Sequence, residues 1–321
     1  MNAISEKISS IGVVPVIKLN NPERDAVNLA KALVAGGVPV AEVTFRAAGA
    51  ATAIKLMSDN VPEMLVGAGT VMTTAQVDEA IAAGAKFIVT PGLDIEIVKY
   101  CQEKGVEIYA GCTTPTDYHA AYKLGLQVLK FFPAEQSGGL AKIKAMSAPY
   151  GNIKFMPTGG VSLDNVNDYL ASNKILACGG SFMVKESYID NDNWDEITKL
   201  TRQSVSLMLG LKLGHIGINN ENEAEAKATA NALALLMGQS IEKESAKGMF
   251  VGTEFEVLKA NGRGKNGHIA ILTNSVDRAV YHLTRRGVKF DMDSATFDKD
   301  GSMKFIYLAE EINGFAYHLV K

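Results

Sequence analysis

The sequence is short of most features that mark a secreted, membrane-bound or nucleic-acid-binding chain. Only three cysteines, Cys101, Cys112 and Cys178, stand among 321 residues, an odd number with no CxxC spacing. That excludes a disulfide framework and fits a reducing compartment. Charge of one sign is also lacking: 32 Lys and Arg against 35 Asp and Glu leave −3. Such a balance offers no field for nucleic acid or an anionic membrane. No apolar run is long enough to span a bilayer, and the opening MNAISEKISS has no signal-peptide core. The expectation is a cytoplasmic protein with a small-molecule substrate and neither nucleic acid nor membrane as partner.

What is present is a rhythm. From residue 12 to about 184, short apolar runs alternate with amphipathic stretches. The runs are VVPVIKL (13–19), VAEVTF (40–45), LVGAGT (65–70), FIVTPG (87–92), EIYAGC (107–112), QVLKFFPA (127–134), IKFMPTGG (153–160) and ILACGGSFMV (175–184). Alternation of strand and helix predicts parallel βαβ units, and eight strands predict a (β/α)8 TIM barrel. DNWDEITKLTRQSVSLMLGLK (192–212) is the helix that ends it. A second pattern follows. GHIGI (214–218) recurs as GHIAI (267–271), and each copy leads into a helical stretch and ends in a strand after glycine, GTEFEVL (252–258) and GFAYHLV (314–320). This is a duplication of βα-plus-hairpin modules. The expected domains are a barrel over 1–212 and a small α+β domain of duplicated βαβββ modules over 213–321.

In a parallel barrel, reactive groups stand at the C-terminal ends of strands on inward-facing positions. In EVTFR (42–46), Glu42, Thr44 and Arg46 share one face while Val43 and Phe45 share the other. The apolar face suits helix packing, which turns the polar face into the barrel mouth. The same alternation in LKFFPAE (129–135) turns Lys130 inward. An inward lysine loses solvation, its pKa falls, and a neutral amine can attack a carbonyl to form a Schiff base. Two glycine pairs, in PTGG (157–160) and CGGS (178–181), end strands seven and eight. Loops at those places hold phosphate in such barrels, with backbone N–H groups close to the anion and helix N-termini behind them. Arg46 suits a carboxylate, and Thr70 can donate beside it. An amine, a carboxylate, an arginine and a phosphate cradle suit carbon–carbon bond chemistry through an imine.

EVTFR, VGAGTV, TPG, KFFPAE, PTGG and GGS, in this order, closely resemble the 2-keto-3-deoxy-6-phosphogluconate / 4-hydroxy-2-oxoglutarate aldolases, class I enzymes, over about residues 5–210. The resemblance implies that Lys130 forms the Schiff base and that Glu42 is the general acid/base, working through a water. It implies that Arg46 and Thr70 bind the pyruvate carboxylate. It places Pro91, Phe132, Thr158, Gly159, Gly160 and Ser181 against substrate or phosphate, with Gly180 beside them in the last loop. It also implies a homotrimer, no cofactor for the aldolase, and as substrate 2-dehydro-3-deoxy-6-phosphogluconate, 4-hydroxy-2-oxoglutarate or both. AGCTTPTD (110–117) and the Ala-Ala after Arg46 depart from the family pattern and bear on substrate preference.

In the second domain, three of the chain's five histidines, His215, His268 and His318, take matching places in the duplication, with Glu256 at the fourth. The module resembles the vicinal-oxygen-chelate superfamily, which includes glyoxalases. That resemblance implies metal ligands at these positions, and three imidazoles with one carboxylate suit Zn²⁺, Ni²⁺, Fe²⁺ or Mn²⁺. Two readings stay open: a metal-dependent lyase or isomerase, making the chain bifunctional, or a binding or assembly module without metal. His119 and His282 lie in helical stretches and are expected on the surface.

Overall fold

All eight apolar runs of the first part form strands, each buried on both faces, which is why they read as nearly unbroken hydrophobic stretches. The computed structural model describes residues 1–321, and the chain divides into two compact units, Met1–Met208 and Leu209–Lys321. In the first, the strands are β1 (Val13–Ile17), β2 (Val40–Thr44), β3 (Leu65–Gly69), β4 (Phe87–Val89), β5 (Glu107–Gly111), β6 (Val128–Phe131), β7 (Lys154–Pro157) and β8 (Cys178–Gly180). They lie in the order β7-β6-β5-β4-β3-β2-β1-β8. The named pairs are parallel from β1 through β7, and β8 pairs with β1. Bridges Phe155–Ile175 and Thr158–Gly179 join β7 to the β8 run and close the ring, giving the TIM-like barrel.

The helices between strands start where the sequence supplies caps. Thr73 accepts from the Gln76 N–H, Asp94 from Glu96 and Ile97, and Thr114 with Asp117 makes a reciprocal capping box. A helix over Ala3–Ile11 precedes β1, and its Ser5 hydroxyl meets the Tyr109 hydroxyl at 3.0 Å. The last helix of the unit runs over Trp194–Leu209. Cys101, Cys112 and Cys178 are buried and form no disulfide. Burial pushes the thiols of Cys101 and Cys112 up to about 12, so neither is a thiolate at neutral pH.

The second unit contains one mixed sheet of eight strands. They are β9 (Lys212–Ile218), β10 (Ile241–Glu242), β11 (Gly248–Val251), β12 (Phe255–Leu258), β13 (His268–Leu272), β14 (Phe290–Phe297), β15 (Met303–Leu308) and β16 (Ala316–Val320). Helices over Glu223–Met237 and Val276–Thr284 complete two βαβββ modules. The strand order β10-β11-β12-β9-β13-β16-β15-β14 has the same sequence of pairings on either side of the β9–β13 junction. β9 pairs parallel with β12 as β13 does with β16, and β9 and β13 meet antiparallel. The two copies differ at one end: β9 begins three residues ahead of His215, whereas β13 begins at His268.

One expectation fails here. His119 is exposed, but His282 is only 2% exposed. The helix buries Val276, Arg278, Ala279 and His282, so His282 falls at the three-residue spacing of the packed face. Its ring meets that of Tyr281 edge-on at 5.1 Å.

Candidate active site and candidate metal centre

Lys130 is the third residue of β6 and is 5% exposed; Glu42, the third of β2, is wholly buried. The Lys130 Nζ donates to Glu42 Oε1 at 3.0 Å across the barrel. Glu42 Oε2 is buried and accepts nothing from the protein, which leaves a lone pair for a substrate hydroxyl or a water. Room for this carboxylate comes from the neighbouring strand. A Cβ on Gly69 would lie 2.3 Å from Glu42 Oε1, so only glycine fits there.

Arg46 stands exposed at the mouth and is oriented through Thr44. Its Nε donates to Thr44 Oγ1 at 3.3 Å, and that hydroxyl donates to the Ile17 carbonyl at 2.8 Å. Thr70 follows β3 with φ of 55°, the left-handed region that a β-branched side chain rarely enters. Strain of this kind costs about 1–3 kcal/mol and clusters at functional sites. Phe132 is 40% exposed, and its ring centroid lies 5.3 Å from Lys130 Nζ.

A cavity of about 290 Å³ collects these groups. Lys130, Glu42, Arg46, Thr70, Pro91 and Phe132 line it. So do Thr158, Gly159, Gly160, Gly180 and Ser181. Every barrel residue singled out in the sequence therefore meets in one place. Val16, Thr44 and Val161 complete the wall. Thr44 stands on the face it shares with Glu42 and Arg46, as the alternation predicts; Val16 and Val161 carry no local signal.

The glycine loops differ in one respect from the expectation. The helices after them, Val166–Leu170 and Glu186–Asp190, have five residues each and start several residues beyond the glycines. Their dipoles are correspondingly small at the loop. What the loops do present is backbone. Gly159 and Gly160 have φ of 96° and 80°, and the N–H groups of Gly160, Val161 and Ser181 donate to no carbonyl of the chain. Successive N–H groups in such a turn form an anion-binding concavity.

In the second unit, His215 Nε2 and His268 Nε2 lie 3.2 Å apart. Glu256 Oε2 is 3.3 Å from the first and 3.1 Å from the second. A ligand atom of His318 lies within 4.8 Å of those of the other two histidines. Ligand atoms of the three histidines thus lie within 4.8 Å of one another, near the spacing of donors that share one ion at about 2.0–2.2 Å. His318 Nδ1 is buried without a partner, another donor that a cation would satisfy. The donor set therefore fits a divalent metal. Gly217 makes the space: a Cβ there would meet the His268 ring at 2.0 Å.

Hydrogen bonds from His215 and His268 hold the Glu256 carboxyl down at about 2. Burial, with the facing His268 and His215, pushes the His318 imidazole down to about 3. Between about pH 3 and 6.5 the unfolded chain binds a proton at His318 that the folded chain does not. Stability from this group is thus full above about pH 6.5 and is lost on acidification. Glu256 adds a loss in the same direction below about pH 4.5. Calorimetry of the metal-free chain should show the second unit's transition falling between pH 7 and pH 4, and His318→Gln should flatten that dependence. An unchanged slope in the variant would rule out His318 as its source.

Residues 4–200 match the family model for KDPG and KHG aldolase. The chain is 46% identical over 205 residues to the 2-dehydro-3-deoxy-phosphogluconate aldolase of Haemophilus influenzae, covering 64% of this chain and 96% of that protein. It is 42% identical over 202 residues to the KHG/KDPG aldolase of Escherichia coli K12, covering 63% and 94%. Among solved structures, it resembles the KDPG aldolase of Legionella pneumophila, in which pyruvate is captured as a covalent carbinolamine. There the TM-score is 0.60 and the identity 36%, covering 62% of this chain and 97% of that one. The aldolase of Zymomonas mobilis with 3-phosphoglycerate gives a TM-score of 0.59 at 36% identity, covering 62% and 94%. Barrel and relatives together define the class of protein, a class I aldolase and therefore a carbon–carbon lyase. The chain belongs to the KDPG and KHG aldolase family.

Proposed function

We propose that the barrel cleaves 2-dehydro-3-deoxy-6-phosphogluconate to pyruvate and glyceraldehyde 3-phosphate, and 4-hydroxy-2-oxoglutarate to pyruvate and glyoxylate. The observation that carries this is the buried Lys130–Glu42 pair, 3.0 Å apart, at the base of a cavity whose rim holds Arg46 and the glycine loops. Lys130 loses a proton, attacks the C2 ketone, and forms a protonated imine with loss of water. Glu42, directly or through a water, takes the proton of the C4 hydroxyl. The C3–C4 bond breaks, its electrons pass into the imine, and the aldehyde leaves. The resulting enamine is protonated at C3, and hydrolysis frees pyruvate and Lys130. Arg46 and Thr70 hold the keto-acid carboxylate. Thr158, Gly159, Gly160, Gly180 and Ser181 hold the phosphate, and Pro91 and Phe132 wall the substrate.

Pyruvate release from each of the two substrates, followed with a coupled assay, tests the reading; no release from either overturns it. Glu42→Gln should lower kcat by about 10²–10⁴-fold, the range for a lost general acid/base. Borohydride reduction with pyruvate should still mark Lys130 in that variant. Full turnover in Glu42→Gln would remove Glu42 from the mechanism. The same reading carries, as proposals, assembly as a homotrimer through the barrel and a cytoplasmic place in carbohydrate breakdown by the Entner-Doudoroff route. No helix is long and apolar enough to cross a membrane.

For residues 213–321 the proposed reading is a glyoxalase-like, vicinal-oxygen-chelate domain with its own metal site. His215, Glu256, His268 and His318 would hold the ion, which would supply Lewis-acid polarisation of a bound oxygen. The convergence of the donors on one point favours this over a purely assembling module.

A further inference from the structure

The metal-site reading leaves one charged residue of the second unit's pocket without a task. A cavity of about 300 Å³ opens above the histidine cluster, and Arg263, Phe305 and Tyr307 line it with the cluster. Arg263 sits in the loop between β12 and β13, and the loop is fixed on both sides of it. Asn219 Oδ1 accepts from the Gly262 N–H at 3.1 Å, and Asn219 Nδ2 donates to the Gly264 carbonyl at 2.8 Å. The guanidinium lies over the Tyr307 ring, 4.6 Å from its centroid. One nitrogen donates to Asp291 on β14 at 2.6 Å, and the side chain remains half exposed. A planar guanidinium, stacked on one face and latched on one edge, presents its remaining donors as a fork. The phenol of Tyr307 offers a hydroxyl donor on the same wall.

Charge selects the ligand. A divalent ion with Glu256 and neutral imidazoles carries one net positive charge, and Arg263 is balanced by Asp291. The geometry points to Arg263 as the recognition residue for the carboxylate of a small 2-oxo acid bound beside the metal, with Tyr307 as the second donor. This rests on the metal-site reading. Such acids are the class of product that the barrel is proposed to release, so the second unit would act on, or sense, a product of the first.

The test uses the full chain with Lys130→Met, which removes imine formation in the barrel, loaded with Co²⁺. Visible absorption of cobalt reports only on the second site. Pyruvate should change that spectrum saturably, and its neutral methyl ester should do so at least ten-fold more weakly. Arg263→Gln should weaken pyruvate at least ten-fold, with Arg263→Lys in between, while leaving cobalt affinity unchanged. Asp291→Asn should tighten pyruvate, since it frees the guanidinium. Equal effects of acid and ester, or no loss in Arg263→Gln, overturn the proposal. A fall in unfolding temperature without loss of pyruvate affinity would make Arg263 structural. Failure of cobalt to bind at all overturns the metal reading, and this proposal with it; cobalt binding without any response to pyruvate overturns this proposal alone.

Discussion

Lys130→Met should abolish pyruvate release, by on the order of 10³-fold or more, because the nucleophile acts as a unit with its base and no neighbour replaces it. Methionine keeps the length and apolar volume of the side chain, so β6 keeps its packing between Leu129 and Phe131, both fully buried. The variant does strand Glu42, which has Lys130 as its hydrogen-bond partner. Breaking one half of a buried pair costs about 3–5 kcal/mol. Loss of activity could then be confused with loss of fold. The double variant Lys130→Met/Glu42→Gln removes the uncompensated charge and should regain stability without regaining activity. Mass spectrometry after borohydride and pyruvate should show an adduct on Lys130 in the parent chain and none in either variant. An adduct of undiminished yield in Lys130→Met would place the imine on another lysine.

The second large effect is expected in the other unit. The parent chain should carry about one divalent ion when purified with metal present, as a four-donor site does. The His215→Ala/His268→Ala double variant should carry none. Gly217→Ala is the sharper experiment, because it removes no donor. Its new methyl would stand 2.0 Å from the His268 ring, closer than any real contact, and must push that imidazole out of register. Metal content by mass spectrometry should drop as far as in the double variant, and circular dichroism should show the sheet retained. Gly214→Ala serves as a control on the same strand, where the nearest atom to an added methyl is 3.1 Å away. Metal content equal in Gly217→Ala and the parent would mean that the ion, if held, is held elsewhere.

Much of the barrel could be read without coordinates because its strands are buried on both faces and its helices begin at caps. Runs such as LVGAG at β3 and VLKF at β6 have no solvent face, so an interior lysine stands out. Period-two alternation sufficed to put Glu42, Thr44 and Arg46 on one side and Lys130 on the inside. His282 shows the limit of the same kind of reading. A single polar residue on an amphipathic helix can fall on either side of the boundary, and the packing partners decide which.

The amino-acid order alone determined the eight-fold alternation, the duplication of the second unit, and which residue types could carry imine and metal chemistry. Those follow from local periodicity and from the repeat of GHI, both of which are properties of the chain. Distances were a matter for the tertiary structure. It alone brought Glu42 to Lys130, 88 positions apart, and His215 to His268, 53 positions apart. It alone set Gly69 and Gly217 against the side chains they make room for, and Arg263 over the ring of Tyr307. Barrel closure and the β9–β13 junction are long-range pairings, and no short stretch of sequence encodes which strands meet.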